Sequence, residues 1–492
     1  MQELRALDKK IRSFSQIGAI LGWDQETYLP DGAVSDRAQQ LAVLETHLHS
    51  LITNPDLSRF LSALEESPPP SLIDQALVKS LRRDHDRAIK IPGDLVERRA
   101  RHVSESQAAW AKARRENDFP AFEPYLETMV DITREVTRCL GWKDHPYDAL
   151  LDEYEPFITT QEVKEVFDKL QPRLSELVKT IAAHPPINSE VLSRSYPKEK
   201  QEALGKDILG KMGFDWNRGR LDVSTHPFCT TLGDDDIRLT TRYDENFFNM
   251  AVYGMIHEAG HGLYEQGIGT EIRGTSLAKG TSMGIHESQS RFWENIVGRS
   301  LGFVNHFFPA LHQYFPQALE GVSSQEFYSA LNKVEPSFIR VEADEVTYSL
   351  HIILRFRLEL ALIEGSLQVK DLPDAWNQGF QELFGIRPPT NAEGCLQDVH
   401  WSMGGIGYFP TYALGNLYAA QWRHYIKKDM DLETLVSQGN FAPILQWLRD
   451  KIHRHGSVYS ARDLCVLVTG EPLNPEYFLQ YIQEKYGSLY GF

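Results

Sequence analysis

Phe247-Phe248-Asn249-Met250-Ala251-Val252-Tyr253-Gly254-Met255-Ile256-His257-Glu258-Ala259-Gly260-His261 is the stretch around which this chain is organised. Its apolar residues (Phe247, Phe248, Met250, Ala251, Val252, Met255, Ile256) recur as a buried helix requires. Asp244 and Asn246 offer cap chemistry before it, and Gly267 offers a stop after it. On that helix His257 and His261 lie four residues apart, on one face. Two neutral imidazoles so placed can both reach one zinc-sized ion, and Glu258 stands beside them as a carboxylate able to take a proton from water. Histidine and glutamate are both common, so the H-E-x-x-H pattern becomes a site only if the other parts of a metallohydrolase are present.

A catalytic zinc typically takes three protein ligands and keeps one position open. Ile285-His286-Glu287-Ser288-Gln289 begins the next predicted helix, Ser282–Arg299, beyond the Gly-rich connection 267–284. An antiparallel return places its first turn beside the motif, which makes Glu287 the favoured third ligand. His286 is the alternative, because consecutive helical residues point about 100° apart and only one of the two can face the ion. Peptide hydrolysis also needs a substrate anchor and donors for a developing oxyanion. Arg340, in Phe338-Ile339-Arg340-Val341-Glu342-Ala343-Asp344, suits a bidentate grip on a carboxylate, although its neighbours favour a structural salt bridge to Glu342, Asp344 or Glu345. His400, Tyr408 and Tyr412 border the loop Gly404-Gly405-Ile406-Gly407 and could donate to an oxyanion; the tyrosines could also be packed aromatics.

Elsewhere the chain reads as helical. Leu41, Leu44, Leu48, Leu51 and Ile52 form an apolar stripe after Ser35 or Asp36, and Ser67-Pro68-Pro69-Pro70-Ser71 breaks the pattern. The charged segment 72–117 reads as solvated helix faces, with a lid whose inward arginines border a cleft as the alternative. Strand character is confined to 219–243, where Leu221-Asp222-Val223 and Ile237-Arg238-Leu239-Thr240 flank a Gly/Asp-rich turn at 233–236. This predicts a small antiparallel sheet whose edge could hold an extended peptide. No composition shift marks a boundary, so one large helical domain over 1–492 is expected, with an N-terminal helical lid region at about 1–120. The formal charge of −17 excludes nucleic acid or an anionic membrane as the main partner. Four scattered cysteines, no apolar run near the roughly 20 residues of a membrane span, and a charged opening Met1-Gln2-Glu3-Leu4 lead to the expectation of a cytoplasmic protein.

An ordered set of motifs resembles the carboxypeptidase Taq family, also called thermostable carboxypeptidase 1. Trp23-Asp24-Gln25-Glu26-Thr27 is similar to W-D-x-x-T, His226-Pro227-Phe228 to H-P-F, and Asp236–Thr240 to D-x-R-x-T. His257–His261 is H-E-x-x-H, His286–Gln289 is H-E-S-Q, Arg340 with Ala343-Asp344 is I-R-x-x-A-D, and Gly394–Trp401 is G-x-x-Q-D-x-H-W. The resemblance spans essentially the whole chain. It implies a mostly α, two-lobed fold with a deep substrate groove and a small sheet beside the metal. It also implies a homodimer holding one zinc ion per subunit, or cobalt, that removes single C-terminal residues from peptides with broad specificity. Carried over by position, it makes His257, His261 and Glu287 the metal ligands and Glu258 the general base. Arg340 becomes the holder of the substrate carboxylate, Arg238 a residue lining the groove, and His400 with Tyr408 or Tyr412 the oxyanion contacts. The competing expectations are a dipeptidyl carboxypeptidase or oligopeptidase on a related scaffold, and a peptide-binding protein without hydrolysis.

Overall fold

A computed structural model describes all residues, Met1–Phe492. The chain folds as α-helices with one three-stranded sheet, and no helix is long and apolar enough to cross a membrane. It divides into two compact units, each assembled from separated stretches. The first comprises Met1–Ile89, Ile187–Leu331 and Tyr418–Leu473; the second comprises Lys90–Pro186, Asn332–Leu417 and Asn474–Phe492. Residues 1–89 of the N-terminal region therefore fall in the first unit and 90–120 in the second.

In the first unit, the helix Val34–Ile52 turns the predicted leucine stripe toward the helix Gln2–Thr27, without a side-chain cap from Ser35 or Asp36. Asn54 instead caps the following helix, accepting from the Asp56 amide. Leu4, Leu57, Leu61, Leu77 and Leu81 join Ile272 and Leu277 in one buried cluster. Beside it stands the sheet: β1 (Gly219–Val223), β2 (Cys229–Gly233) and β3 (Asp236–Thr241), in the order β1-β3-β2.

The sheet is mixed rather than antiparallel, which corrects the sequence expectation. β2 and β3 form a hairpin across 233–236, whereas β1 pairs with β3 in parallel. The physical reason lies in the link 224–228, which reverses the chain after β1 so that β2 runs back and β3 forward again. That link is His226-Pro227-Phe228 with its flank, and Thr240 locks it. The Thr240 hydroxyl accepts from the Phe228 amide at 2.9 Å and pairs with the Ser224 hydroxyl at 2.7 Å. Two of the sequence motifs are thus halves of one turn.

The motif helix runs Phe248–Gln266. Ala251, Met255, Ala259 and Leu263 are fully buried, so packing from every side stabilises it. Its predicted capping fails: Phe247 occupies the N-cap, and Asp244 accepts from the Asn246 amide in a preceding turn. Gly267 does end it, but in an ordinary right-handed conformation; the need for glycine is that an added Cβ would lie 2.5 Å from the His453 ring. Gly262 sits where a Cβ would press on Leu239 of β3 at 2.9 Å, so the helix lies directly on the sheet. The returning helix Met283–Arg291, capped by Ser282, crosses at Gly260. It continues as a π-helical segment, Phe292–Gly298, instead of the single α-helix expected to Arg299.

The second unit centres on the helix Tyr348–Glu364, which is buried nearly throughout. Around it pack the helix pair Gly93–Glu116 and Phe119–Leu140, and Thr160–Ala182, whose Thr159 and Glu162 form a complete capping box. Of the arginines in the charged 72–117 segment, Arg82, Arg98 and Arg101 pair with carboxylates at the surface, as solvated faces do. Arg99 differs, reaching the Gly404 carbonyl.

Candidate active site

His257, His261 and Glu287 converge. One donor atom from each lies within 4.8 Å of the others, with Glu287 Oε2 at 3.7 Å from His257 Nε2 and 3.6 Å from His261 Nε2. These separations are too long for hydrogen bonds. They approach the spacing of about 3.4 Å between neighbouring donors held about 2.1 Å from one ion. His261 is held well below the usual histidine range, by burial first, so it is neutral as a ligand must be. The donor set fits a metal ion, with two imidazoles and a carboxylate as in catalytic zinc sites. His286, the alternative ligand, turns away from this point.

Each ligand is held from behind. His257 donates through Nδ1 to Glu294 Oε2 at 2.9 Å, and Glu294 in turn accepts from Arg291 at 3.4 Å and Arg299 at 3.2 Å. Glu294 lies on the π-helical segment, two turns beyond Glu287. Burial opposes its ionisation, but His257, Arg291 and Arg299 outweigh that and hold it far below the carboxylate range. Glu287 Oε1 accepts from Arg291 Nε at 2.7 Å, which leaves Oε2 toward the histidines. Behind His261 stand His286, Nδ1 to Nδ1 at 2.6 Å, and then Glu265, 2.9 Å from His286 Nε2.

Glu258 is 7% exposed, and burial, with the charges of Glu287 and Glu294 added and His257 opposing, pushes its carboxyl up to about 7. A base titrating near neutrality is suited to accept and return a proton at physiological pH. Cys229 on β2 is pushed well up by burial and by the charges of Glu258 and Glu265, so the edge strand lies beside this carboxylate. Arg238, on β3, is paired to Asp236 through both Nε and Nη2 at 2.9 Å and lies over the Trp23 ring, 4.2 Å from its centroid. Arg220, its register partner on β1, faces the same ring at 5.3 Å. The W-D-x-x-T tryptophan is therefore one of the contacts of the first helix with the sheet, together with Arg12 on Asp234 and Tyr28 on Asp222.

Arg340, His400, Tyr408 and Tyr412 form a second cluster, within the second unit. Arg340 is 5% exposed; its Nε and Nη2 lie 3.0 and 2.8 Å from Asp398 Oδ1, and its Nη1 donates to the Tyr348 hydroxyl at 3.0 Å. Its salt-bridge partner is thus Asp398, and not Glu342, Asp344 or Glu345. Asp344 instead accepts from Val346, Thr347 and Glu335, while Glu345 binds Lys485. Asp398 Oδ2 takes a second arginine, Arg355, which is fully buried. Two guanidinium groups face one carboxylate, so the cluster carries one positive charge in excess. His400 adds none: burial first, and then Arg340 and Arg355 against the opposing Asp398, bring it down to about 4. Its Nε2 lies 3.2 Å from the Tyr412 hydroxyl, and Tyr408 rests against both rings. Glu359, one turn beyond Arg355, fixes the loop by accepting from Trp401 Nε1 and the Gly407 amide. Arg355, Glu359, Glu294 and Glu265 escaped the sequence analysis; Glu265, one turn beyond His261, and Glu294, two turns beyond Glu287, carried a spacing signal.

A converging His–His–Glu donor set with a buried glutamate on an H-E-x-x-H helix defines a metallohydrolase. The comparisons with known proteins carry this to the family: residues 3–486 match the pattern of "Carboxypeptidase Taq (M32) metallopeptidase". The chain belongs to that family and is a metallocarboxypeptidase. It is 42% identical to "Thermostable carboxypeptidase 1" of Thermus thermophilus, covering 100% of this chain and 99% of that one. It is 39% identical to "Carboxypeptidase 1" of Bacillus subtilis, covering 99% and 98%. Among solved structures, the M32 carboxypeptidase from Deinococcus radiodurans superposes with a TM-score of 0.97 at 38% identity, covering 100% of this chain and 99% of that one.

Proposed function

We propose that this metallocarboxypeptidase removes single C-terminal residues from peptides with broad specificity, with zinc or alternatively cobalt held by His257, His261 and Glu287. The observation that carries this is the convergence of three metal-ligating atoms within 4.8 Å beside the raised carboxyl of Glu258. The ion would supply Lewis acidity to water and to the scissile carbonyl. Glu258 takes the proton of the attacking water and returns it to the departing amine. The edge strand β2 holds the extended peptide through main-chain hydrogen bonds, and Arg238 limits how far a substrate threads. His400, with Tyr408 and Tyr412, donates to the developing oxyanion. A neutral imidazole suits that role, since it offers an N–H without repelling the neighbouring arginines.

Arg340 receives the peptide's terminal carboxylate. Support comes from the excess positive charge of the Arg340–Asp398–Arg355 group, which a substrate anion would balance. The test compares free and C-terminally amidated forms of one peptide. Arg340→Ala should cut kcat/KM on the free acid by at least about 100-fold, as for loss of a charge-assisted pair. It should change the slow hydrolysis of the amide little; equal losses on both forms contradict the assignment. The four unpaired cysteines support a reducing, cytoplasmic compartment. The homodimer is proposed on the family resemblance.

A further inference from the structure

We propose that His286 and Glu265 are positioning residues that fix His261 as the tautomer able to bind a metal ion. The proposal deepens, and rests on, the assignment of His261 as a ligand. Glu265 is 8% exposed, and every neighbour it meets is a donor: the Thr231 hydroxyl at 3.0 Å, the Gly280 amide at 3.2 Å and His286 Nε2 at 2.9 Å. A carboxylate only accepts, so His286 carries its proton on Nε2. The lone pair of His286 then lies on Nδ1, which faces His261 Nδ1 at 2.6 Å. That contact is a hydrogen bond only if His261 Nδ1 bears the proton, which leaves the His261 Nε2 lone pair pointing toward Glu287 Oε2, 3.6 Å away. The reverse assignment would put a proton on the very atom that must ligate.

Packing holds the relay in register. A Cβ on Gly280 would lie 2.6 Å from His286 Cδ2 and 3.0 Å from the Tyr264 ring, so His286 is wedged between backbone and aromatic face. The two metal-facing histidines are thus oriented differently. His257 meets a carboxylate directly through Glu294, whereas His261 reaches one through an intervening imidazole. Outer partners of this kind set both ring orientation and metal affinity, typically by 10- to 100-fold.

The test titrates Zn2+ into the metal-free full-length protein against a competing chelator, and records the visible absorption of the Co2+-loaded form. Glu265→Gln keeps the shape but lets an amide N–H face His286, allowing the whole relay to reverse; His286→Phe keeps a ring but offers no acceptor. Each should weaken binding by about 10- to 100-fold and shift the Co2+ bands, with the melting temperature of the metal-free protein unchanged. His286→Gln, whose carbonyl can accept from His261 Nδ1, should bind at least about fivefold more tightly than His286→Phe, and this comparison holds even if both variants melt lower. Binding within about twofold of the native protein in Glu265→Gln and His286→Phe, with Glu287→Ala at least about 100-fold weaker, overturns the relay and leaves the ligand set standing. Native binding by Glu287→Ala removes the ligand set and the relay with it.

Discussion

Neutral His400 is a property of its surroundings, and it has a measurable consequence. Its ring is buried against two arginines whose single counter-charge, Asp398, lies 4.0 Å from Nδ1, so protonation would add a third cation to the group. In the unfolded chain the same ring takes a proton near 6.5; in the folded protein it refuses one until about 4. The unfolded state therefore binds more protons across that window. The stability held by neutral His400 is complete above about pH 6.5 and lost as the pH falls toward 4, by about 3 kcal/mol. Denaturant unfolding of the metal-free protein at pH 7 and pH 4 should show native protein losing about that much more than His400→Gln. Equal losses would mean that the ring is free to protonate. Glu258 shows the same balance with opposite sign: burial raises its carboxyl, and a base near 7 is the result.

Among elements, the contact between the motif helix and Met283–Arg291 matters most, because it sets the distance from His261 to Glu287. The contact is backbone on backbone: a Cβ at Gly260 would lie 2.5 Å from Ser290 Cα and 2.6 Å from the Gln289 carbonyl oxygen. No side-chain rotation can relieve that, so Gly260→Ala must part the two helices. It should destabilise the protein by about 1–3 kcal/mol and weaken metal binding at least about tenfold. Gly254→Ala on the same helix is the control. Its Cβ would meet only the Thr241 hydroxyl at 4.0 Å, so it should stabilise by about 0.5–1 kcal/mol and leave metal binding intact. Calorimetry and metal titration of the pair decide; a Gly260→Ala variant that behaves like Gly254→Ala contradicts the close crossing. Local spacing made His257, His261 and the nearby Glu287 legible in sequence. Glu294, seven residues beyond Glu287 and so on the same face of the predicted helix, carried a spacing signal that was not used. β2 was missed because Cys229-Thr230-Thr231 shows no alternation, and with it went the parallel pairing of β1 and β3.

For the molecule as a whole, the helical character and the sheet beside the helix of His257 and His261 followed from pattern, and the family followed from motifs in order along the chain. The division into two discontinuous units did not, since each unit draws on three separated stretches and no composition change marks where the chain leaves one for the other. Likewise the partner of Arg340 could not be read from its neighbours. Asp398 is 58 residues away, and burial beside Arg355 pairs them. The proposed activity belongs to this scale too, because where a peptide is cut is an outcome of the whole chain. Its most direct measurement is mass spectrometry of a single unblocked peptide incubated with metal-free protein, with protein restored by Zn2+ or Co2+, and with restored Glu258→Gln. The prediction is a ladder of products shortened one residue at a time from the C-terminus, only in the restored native protein. Glu258→Gln should bind the ion yet turn over at least about 1,000-fold more slowly. Release of dipeptides, internal cuts, or a ladder undiminished in Glu258→Gln would contradict it.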